Sequence, residues 1–490
     1  NQTIKQLIGN ENIVISVTGP QKEGLVYPTE EELLAVLASV QAETIEPYAE
    51  QVINEPLVTT PPTPGKITKE EKDQEMNATV WTLQNGMKVI LKNTDFKDDQ
   101  ILMTGTSAGG YSQYAVQDPI NSKLMSAVMG VGGVGSFSAT DLPKVLAGKT
   151  ASARPGISLT TQNFNGSSSI KDFETMLQLV YLYFTAPRKD ADAFQSYLQR
   201  METQLKNQEA EPMVAFSDSI TAALYGDNPL TARIKLADLK QLDYNRIMEM
   251  YKQQFSNPGS FVFTFVGNID EEKVRPVVEQ YLASLPGKAV KGEFVKVPMD
   301  FRTGELNNIF QREMQNPKAS VFNTYSGTTE RNMKNLILMS MFDQILDIVY
   351  TEKIREEEGG TYGVSSAGAI SRYPEGQSVL QIMFDTDPEK MAHLNEIIHN
   401  VLKEIAANGP READFSKVKE YMNKSYNENL KENSYWMNVL DTRYFYGEDT
   451  YTHYIDTVNA ITPAEVRDFV ANLLNQGNKK TIVMIPKVAK

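Results

Sequence analysis

Two side chains in this sequence can donate hydrogen bonds to negative charge, although neither their types nor their spacing sets them apart unaided. They are Arg355 and Tyr362, seven positions apart in the run Lys353-Ile354-Arg355-Glu356-Glu357-Glu358-Gly359-Gly360-Thr361-Tyr362-Gly363-Val364. A guanidinium and a phenol both donate hydrogen bonds, and Gly359-Gly360 lets the chain turn sharply enough to present both from one corner. The same residues also have a plain structural reading. An arginine in the last turn of a helix satisfies free carbonyls and complements the negative end of the helix dipole, and a tyrosine opening a strand packs. Composition and spacing alone leave both roles open.

The other chemical groups carry less. His393, Glu396 and His399 lie on a helical segment after Asp387-Pro388, whose apolar face is formed by Met391, Leu394, Ile398, Val401 and Ile405. At about 100° per residue the three polar groups fall on the other face, and are expected to point to solvent. A zinc helix needs its histidines four apart, whereas these are six apart, so no metal is expected here. The glycine-rich Met129-Gly130-Val131-Gly132-Gly133-Val134-Gly135 lacks the Lys-Ser/Thr ending of a phosphate loop, and does not sit between a strand and a helix in the dinucleotide-binding manner. No Gly-x-Ser-x-Gly elbow is present, and no carboxylate spacing singles out an acid and base pair. No self-contained catalytic set and no cofactor is therefore expected in this chain.

Composition narrows the field further. The 490 residues suggest two to four domains, and the net charge of −14, from 48 Lys+Arg against 62 Asp+Glu, argues against sequence-independent nucleic-acid binding. The absence of cysteine removes disulfides, thiolate nucleophiles and Cys-based zinc sites. No apolar run approaches the roughly 20 residues a membrane span needs. The sequence begins at Asn1 without a methionine, which reads as a mature or excised fragment whose targeting signal lay upstream.

The elements that must position Arg355 and Tyr362 come from the periodicity. Residues 11–19 read as a β-branched strand, followed by a helix opened by a Thr29/Glu32 capping box. Residues 50–72, with Thr59-Thr60-Pro61-Pro62-Thr63-Pro64-Gly65, read as a stiff linker. Asn85-Gly86 between two apolar runs predicts a two-residue hairpin. A unit of helix end, polar break, strand and capped helix runs from Tyr251 to Gly287. It has counterparts near residues 4–34 and, in shorter form, at the C-terminus. Recurrence at about 220–250 residues implies domain duplication, since solenoid repeats are far shorter. The expected organisation is a remnant domain over 1–49, the linker over 50–72, and α+β domains over 73–290 and 291–490, each with helices covering a sheet.

Taken together, Trp81-Thr-Leu-Gln-Asn-Gly-Met-Lys-Val-Ile-Leu91, the run Tyr251 to Gly287 and Arg355-Glu-Glu-Glu-Gly-Gly-Thr-Tyr362 resemble the pitrilysin/insulinase (M16-type) family of zinc metallopeptidases, over nearly the whole chain. The resemblance implies that family's duplicated α+β fold, the LuxS/metallopeptidase-like fold, with two halves closing around a peptide. It implies an inverted zinc motif, His-x-x-Glu-His, in the N-terminal half; the stretch that corresponds here is Ser122-Lys123-Leu124-Met125-Ser126, without ligands or catalytic glutamate. The chain thus resembles the zinc-lacking C-terminal half, inactive alone, with zinc in a partner N-terminal half and a peptide as substrate. The same resemblance makes Arg355 and Tyr362 the substrate-binding pair, and leans toward the periplasm or cell envelope. A catalytically silent scaffold or peptide-binding subunit is the alternative.

Overall fold

A computed structural model describes residues 13–20, 24–43, 53, 55–290, 292–361 and 363–487. The chain divides into two compact units, 1–52 and 53–490. In the first, the helix Glu30–Ala42 opens as expected: Thr29 Oγ1 accepts from the Glu32 amide, and Glu32 returns the bond to the Thr29 amide. The strand expected over 11–19 is absent from the described residues 13–20, which pair with no neighbour. A strand needs a second chain to satisfy its backbone, and here Val14 is 92% exposed.

The second unit holds two sheets. The first contains β1 (Ile67–Asp73), β2 (Ala78–Leu83), β3 (Lys88–Asn93), β4 (Ile101–Ala108), β5 (Ala151–Ile157), β6 (Thr161–Ser168) and β7 (Val262–Gly267), in the order β1-β2-β3-β7-β4-β6-β5. The second contains β8 (Leu306–Arg312), β9 (Ala319–Thr328), β10 (Val364–Ile370), β11 (Gln377–Thr386) and β12 (Lys479–Pro486), in the order β10-β11-β9-β12-β8. Strand β1 lies largely inside the segment that reads as linker. Its sequence, Ile-Thr-Lys-Glu-Glu-Lys-Asp, is almost wholly exposed, so the edge of the sheet carries no apolar signal.

The two sheets repeat one plan. Strands β3-β7-β4-β6-β5 match β8-β12-β9-β11-β10, with one parallel pair in each, β3 with β7 and β8 with β12, and antiparallel pairing elsewhere in the matched run. The helices follow the same order, Phe173–Thr185 answering Met391–Asn408 and Tyr244–Gln254 answering Pro463–Asn475. In each repeat the strand after that last helix enters the centre of its sheet, buried on both faces.

The hairpin between β2 and β3 has four residues between the strands, Gln84, Asn85, Gly86 and Met87, two more than expected. Gly86 takes φ +90, and Asn85 turns inward to donate to the carbonyls of Leu282 (2.8 Å) and Leu285 (2.9 Å). Burying that amide is tolerable only because both of its donors are satisfied.

Each sheet covers one face with its own helices and the other with a helix from the opposite repeat. Trp436, Val439 and Leu440 of the helix Asn433–Asp441 pack on Ala78, Ile90 and Val266 of the first sheet. In return, Phe216 and Ala223 of the helix Pro212–Tyr225 pack on Phe322, Ile482 and Met484 of the second. Polar contacts fix the first exchange: Thr94 Oγ1 donates to Asn433 Oδ1 (2.6 Å), Thr106 Oγ1 to Asp441 Oδ1 (2.9 Å) and Tyr444 OH to Asp73 Oδ2 (2.6 Å). Burial raises the carboxyl pKa of Asp441.

Candidate functional site

The corner that carries Arg355 begins in the long helix Met333–Tyr350, buried through Phe342, Ile345 and Leu346. Past Tyr350 the helix widens into a π-helical turn, Thr351–Glu357, a geometry frequent at functional positions. Ile354, fully buried, holds the turn to the core, and its carbonyl accepts from the Gly360 amide at 3.3 Å. Gly359 takes φ +57, the left-handed conformation that glycine adopts without strain.

Side chains from two other helices clamp this turn. Arg411 spans Glu352, through bonds of 2.9 and 2.5 Å, and also reaches Asp414 at 2.6 Å. That guanidinium holds the Glu352 carboxyl below its ordinary pKa. Lys353 pairs with Glu404 at 3.5 Å, and His393 Nε2 lies 3.2 Å from Glu358 Oε2. Behind the turn, Thr386 Oγ1 donates to the Gly360 carbonyl at 2.5 Å, and a side chain at Gly360 would place its Cβ 2.5 Å from Leu394 Cδ1. Arg355 itself is exposed and, among the described residues, has no hydrogen-bond or ion-pair partner. Tyr362 lies outside the described residues; its neighbours Thr361 and Gly363 are joined by a bond from Thr361 Oγ1 to the Gly363 carbonyl (3.1 Å). A fixed frame thus presents an uncommitted guanidinium.

The three groups of the histidine helix do not converge. His393 is exposed and engaged with Glu358, but His399, expected at the solvent face, sits half-buried against the sheet, with Nδ1 2.8 Å from Tyr325 OH and Nε2 3.4 Å from Asn395 Nδ2. The expectation failed because the helix packs on a sheet whose β9 offers polar partners, which a two-face wheel cannot register. Burial, aided by Lys479 and Lys403, pushes the His399 pKa down to about 4.

The polar side chains of the stretch Ser122 to Ser126 are engaged with backbone groups. Ser122 Oγ donates to the Pro119 carbonyl, Ser126 Oγ accepts from the Ile157 amide at 3.2 Å, and Lys123 Nζ reaches the carbonyls of Pro229 (2.5 Å) and Ala232 (2.6 Å). Among the described residues, no cluster of three or more His, Cys, Asp or Glu side chains could hold a metal ion. No helix among them is long and apolar enough to cross a membrane.

Sequence reasoning missed the clamp. Arg411 and Glu352 are far apart in the chain, and nothing in either neighbourhood announces the other. It also missed the Tyr325–His399 pair, since β9 carries Ser320, Asn323, Thr324 and Ser326 as well and nothing near the tyrosine marks it as a partner.

Comparison with known proteins now bears on these findings. Residues 241–422 match the family model described as the peptidase M16 inactive domain, a span that includes β7 to β11 and the Arg355 corner. A "Zinc protease PQQL-like" of Arabidopsis thaliana is 25% identical over 412 residues, covering 81% of this chain and 40% of the relative. A "Probable zinc protease PqqL" of Haemophilus influenzae is 23% identical over 350 residues, covering 70% of this chain and 37% of the relative. The chain thus spans well under half the length of these curated relatives. Among solved structures, the periplasmic protease PqqL from Escherichia coli superposes with a TM-score of 0.76 at 20% identity, covering 94% of this chain and 51% of that one. A peptidase M16 inactive domain from Pseudomonas fluorescens gives 0.69 at 18% identity, covering 84% and 99%. Fold, family model and relatives point the same way: residues 241–422 match the peptidase M16 inactive domain, and the chain is similar in sequence to PqqL-like zinc proteases and in fold to solved M16 peptidase structures.

Proposed function

We propose that this chain is the zinc-lacking half of a PqqL-like peptidase, binding an extended peptide and assisting a cleavage centred on a zinc-bearing N-terminal half. The observation that carries this reading is Arg355, an exposed cation with no partner among the described residues, on a turn that Glu352, Lys353 and the adjoining Glu358 tie to neighbouring elements. Zinc held in the other half would polarise the scissile carbonyl and activate water. What this chain adds is donors: Arg355 and Tyr362 hydrogen-bond to the substrate oxygen on which negative charge grows. Because the supporting turn is clamped in advance, little reorganisation accompanies that contact.

The test is a mixing assay. Peptide cleavage is measured for this chain, for the zinc half and for the two together, with Arg355→Ala and Tyr362→Phe in this chain. The reading requires the mixture to exceed the zinc half alone and both variants to lower that gain. A mixture no faster than the zinc half, or variants without effect, would leave a scaffold role instead. The description of E. coli PqqL as periplasmic supports a periplasmic or cell-envelope site for this chain as well, which fractionation of the native host decides.

A further inference from the structure

A cavity of about 360 Å³ opens beside the Arg355 corner, bordered by Thr361 and Gly363 of the segment leading into β10, by Ser365 of β10 and by Met383 and Asp385 of β11. Its origin is a mismatch in side-chain size. Ser365 and Met383 stand opposite each other in the β10–β11 register, and β10 is the edge strand, so no third strand fills the space that a small residue leaves. A Cβ added at Gly363 would meet nothing within 4 Å. Met383 is 44% exposed, an apolar side chain left uncovered next to that gap.

Two of the polar groups at the cavity are engaged elsewhere, and the Ser365 hydroxyl is the small polar group left on its β10 side. Asp385 receives Lys318 Nζ at 2.5 Å on one oxygen and Ser320 Oγ at 2.6 Å on the other, and the Thr361 hydroxyl is turned to Gly363. What remains to meet a visitor is the flexible, polarisable thioether of Met383 and a floor of small residues, a surface suited to adaptable apolar contact. An acidic side chain would lose its hydration there and meet the Asp385 carboxylate, and a basic one would have to compete with Lys318 for it.

We propose that this cavity is a specificity pocket for one apolar side chain of the peptide, at a position close to the bond handled by Arg355 and Tyr362, with Met383 as its principal wall. The proposal rests on the reading of that corner as substrate-facing, because Thr361 and Gly363, which flank Tyr362 in the chain, border both. The occupant is a leucine-sized or phenylalanine-sized side chain on an extended peptide, and the discrimination falls on that one position.

The experiment compares matched peptides carrying Leu or Ser at each position in turn, cleaved by the reconstituted mixture. One position should show a Leu-over-Ser preference in kcat/KM. Met383→Ala and Ser365→Phe, the first enlarging the pocket and the second filling it, should each reduce that ratio by about tenfold, the scale of one lost apolar contact set. Both sites are exposed, so the variants should fold, and thermal unfolding checks this. If neither variant moves the ratio at any position while Tyr362→Phe slows every peptide, the pocket is overturned and the role of the corner stands. If Tyr362→Phe and Arg355→Ala are silent, the corner reading has failed. The pocket is then judged with this chain alone, by titrating Leu and Ser peptides against methyl-labelled methionine and following the signal that Met383→Ala removes. A shift with the Leu peptide alone supports the pocket; no shift, or equal shifts, overturns it.

Discussion

The ammonium of Lys92 lies 3.8 Å from the centre of the Trp436 ring and donates to the Met76 carbonyl at 2.6 Å. Lys92 belongs to β3 of the first repeat and Trp436 to the helix that the second repeat lays across it. Burial lowers the Lys92 pKa to about 8, with Asp73 opposing the shift, so the ring and the carbonyl stand in for lost water.

Trp436→Ala should therefore cost about 3–5 kcal/mol, the usual range for emptying a large aromatic site, because it also uncovers a buried cation. Trp436→Phe should cost less, losing chiefly the indole bond to the Leu430 carbonyl (2.9 Å). Chemical denaturation of the three proteins checks the order.

Gly267→Ala should prevent stable folding. Its φ of +150 suits glycine, and an added Cβ would lie 2.0 Å from the Gln100 carbonyl oxygen, a backbone atom that cannot swing aside. A loss above about 3 kcal/mol, read from thermal unfolding or soluble yield, is expected. By contrast Gly363→Ala, in open space, should be well tolerated.

The neutral ring of His399 sets an acid limit. Its folded pKa of about 4 lies below the unfolded value of 6.5, so the unfolded chain binds the extra proton first as pH falls. The contribution of this residue is fully present above about pH 6.5 and fades as pH drops from there toward about 4. His399→Gln, which cannot titrate, should flatten that part of the stability curve while the rest of the acid unfolding remains.

Arg411→Ala should loosen the corner more than it destabilises the protein. Surface pairs such as Arg411–Glu352 contribute roughly 0.2–1 kcal/mol, with somewhat more expected from the half-covered contact to Asp414. In the mixing assay the variant should lower kcat more than it raises KM, as befits a group that positions Arg355 without touching substrate. Arg355→Ala, removing a donor itself, should cost on the order of 100-fold in rate. Equal losses in both variants, or none, would count against this division of labour.

What could be read from the chain in advance follows a physical line. Local signals were legible: the Thr29/Glu32 box, the turn at Asn85-Gly86 and the helix, break and strand order around Tyr251 to Gly287 all depend on residues close in sequence. The misses come from distant partners. Asn85 bends inward because Leu282 and Leu285 offer carbonyls, His399 because β9 offers Tyr325, and β1 was hidden by its exposure. An amphipathic helix announces that it will bury a face, yet not which sheet receives it, so neither Trp436 nor Phe216 could be assigned to the opposite repeat. The helix end that carries Arg355 could be read locally, whereas the clamp of Arg411 on Glu352 joins residues distant in the chain and left no local signal.

The crossed helices bear on how this protein comes apart. Each repeat on its own would leave wet the apolar sheet patch that receives the other's helix, so heating should give one transition where the sequence suggests two domains. Proteolytic nicking near residue 290 should leave a complex whose halves stay together until denaturant separates them, and fragments 55–290 and 292–487 made singly should aggregate. The duplication doubled the fold while merging its stability into one event.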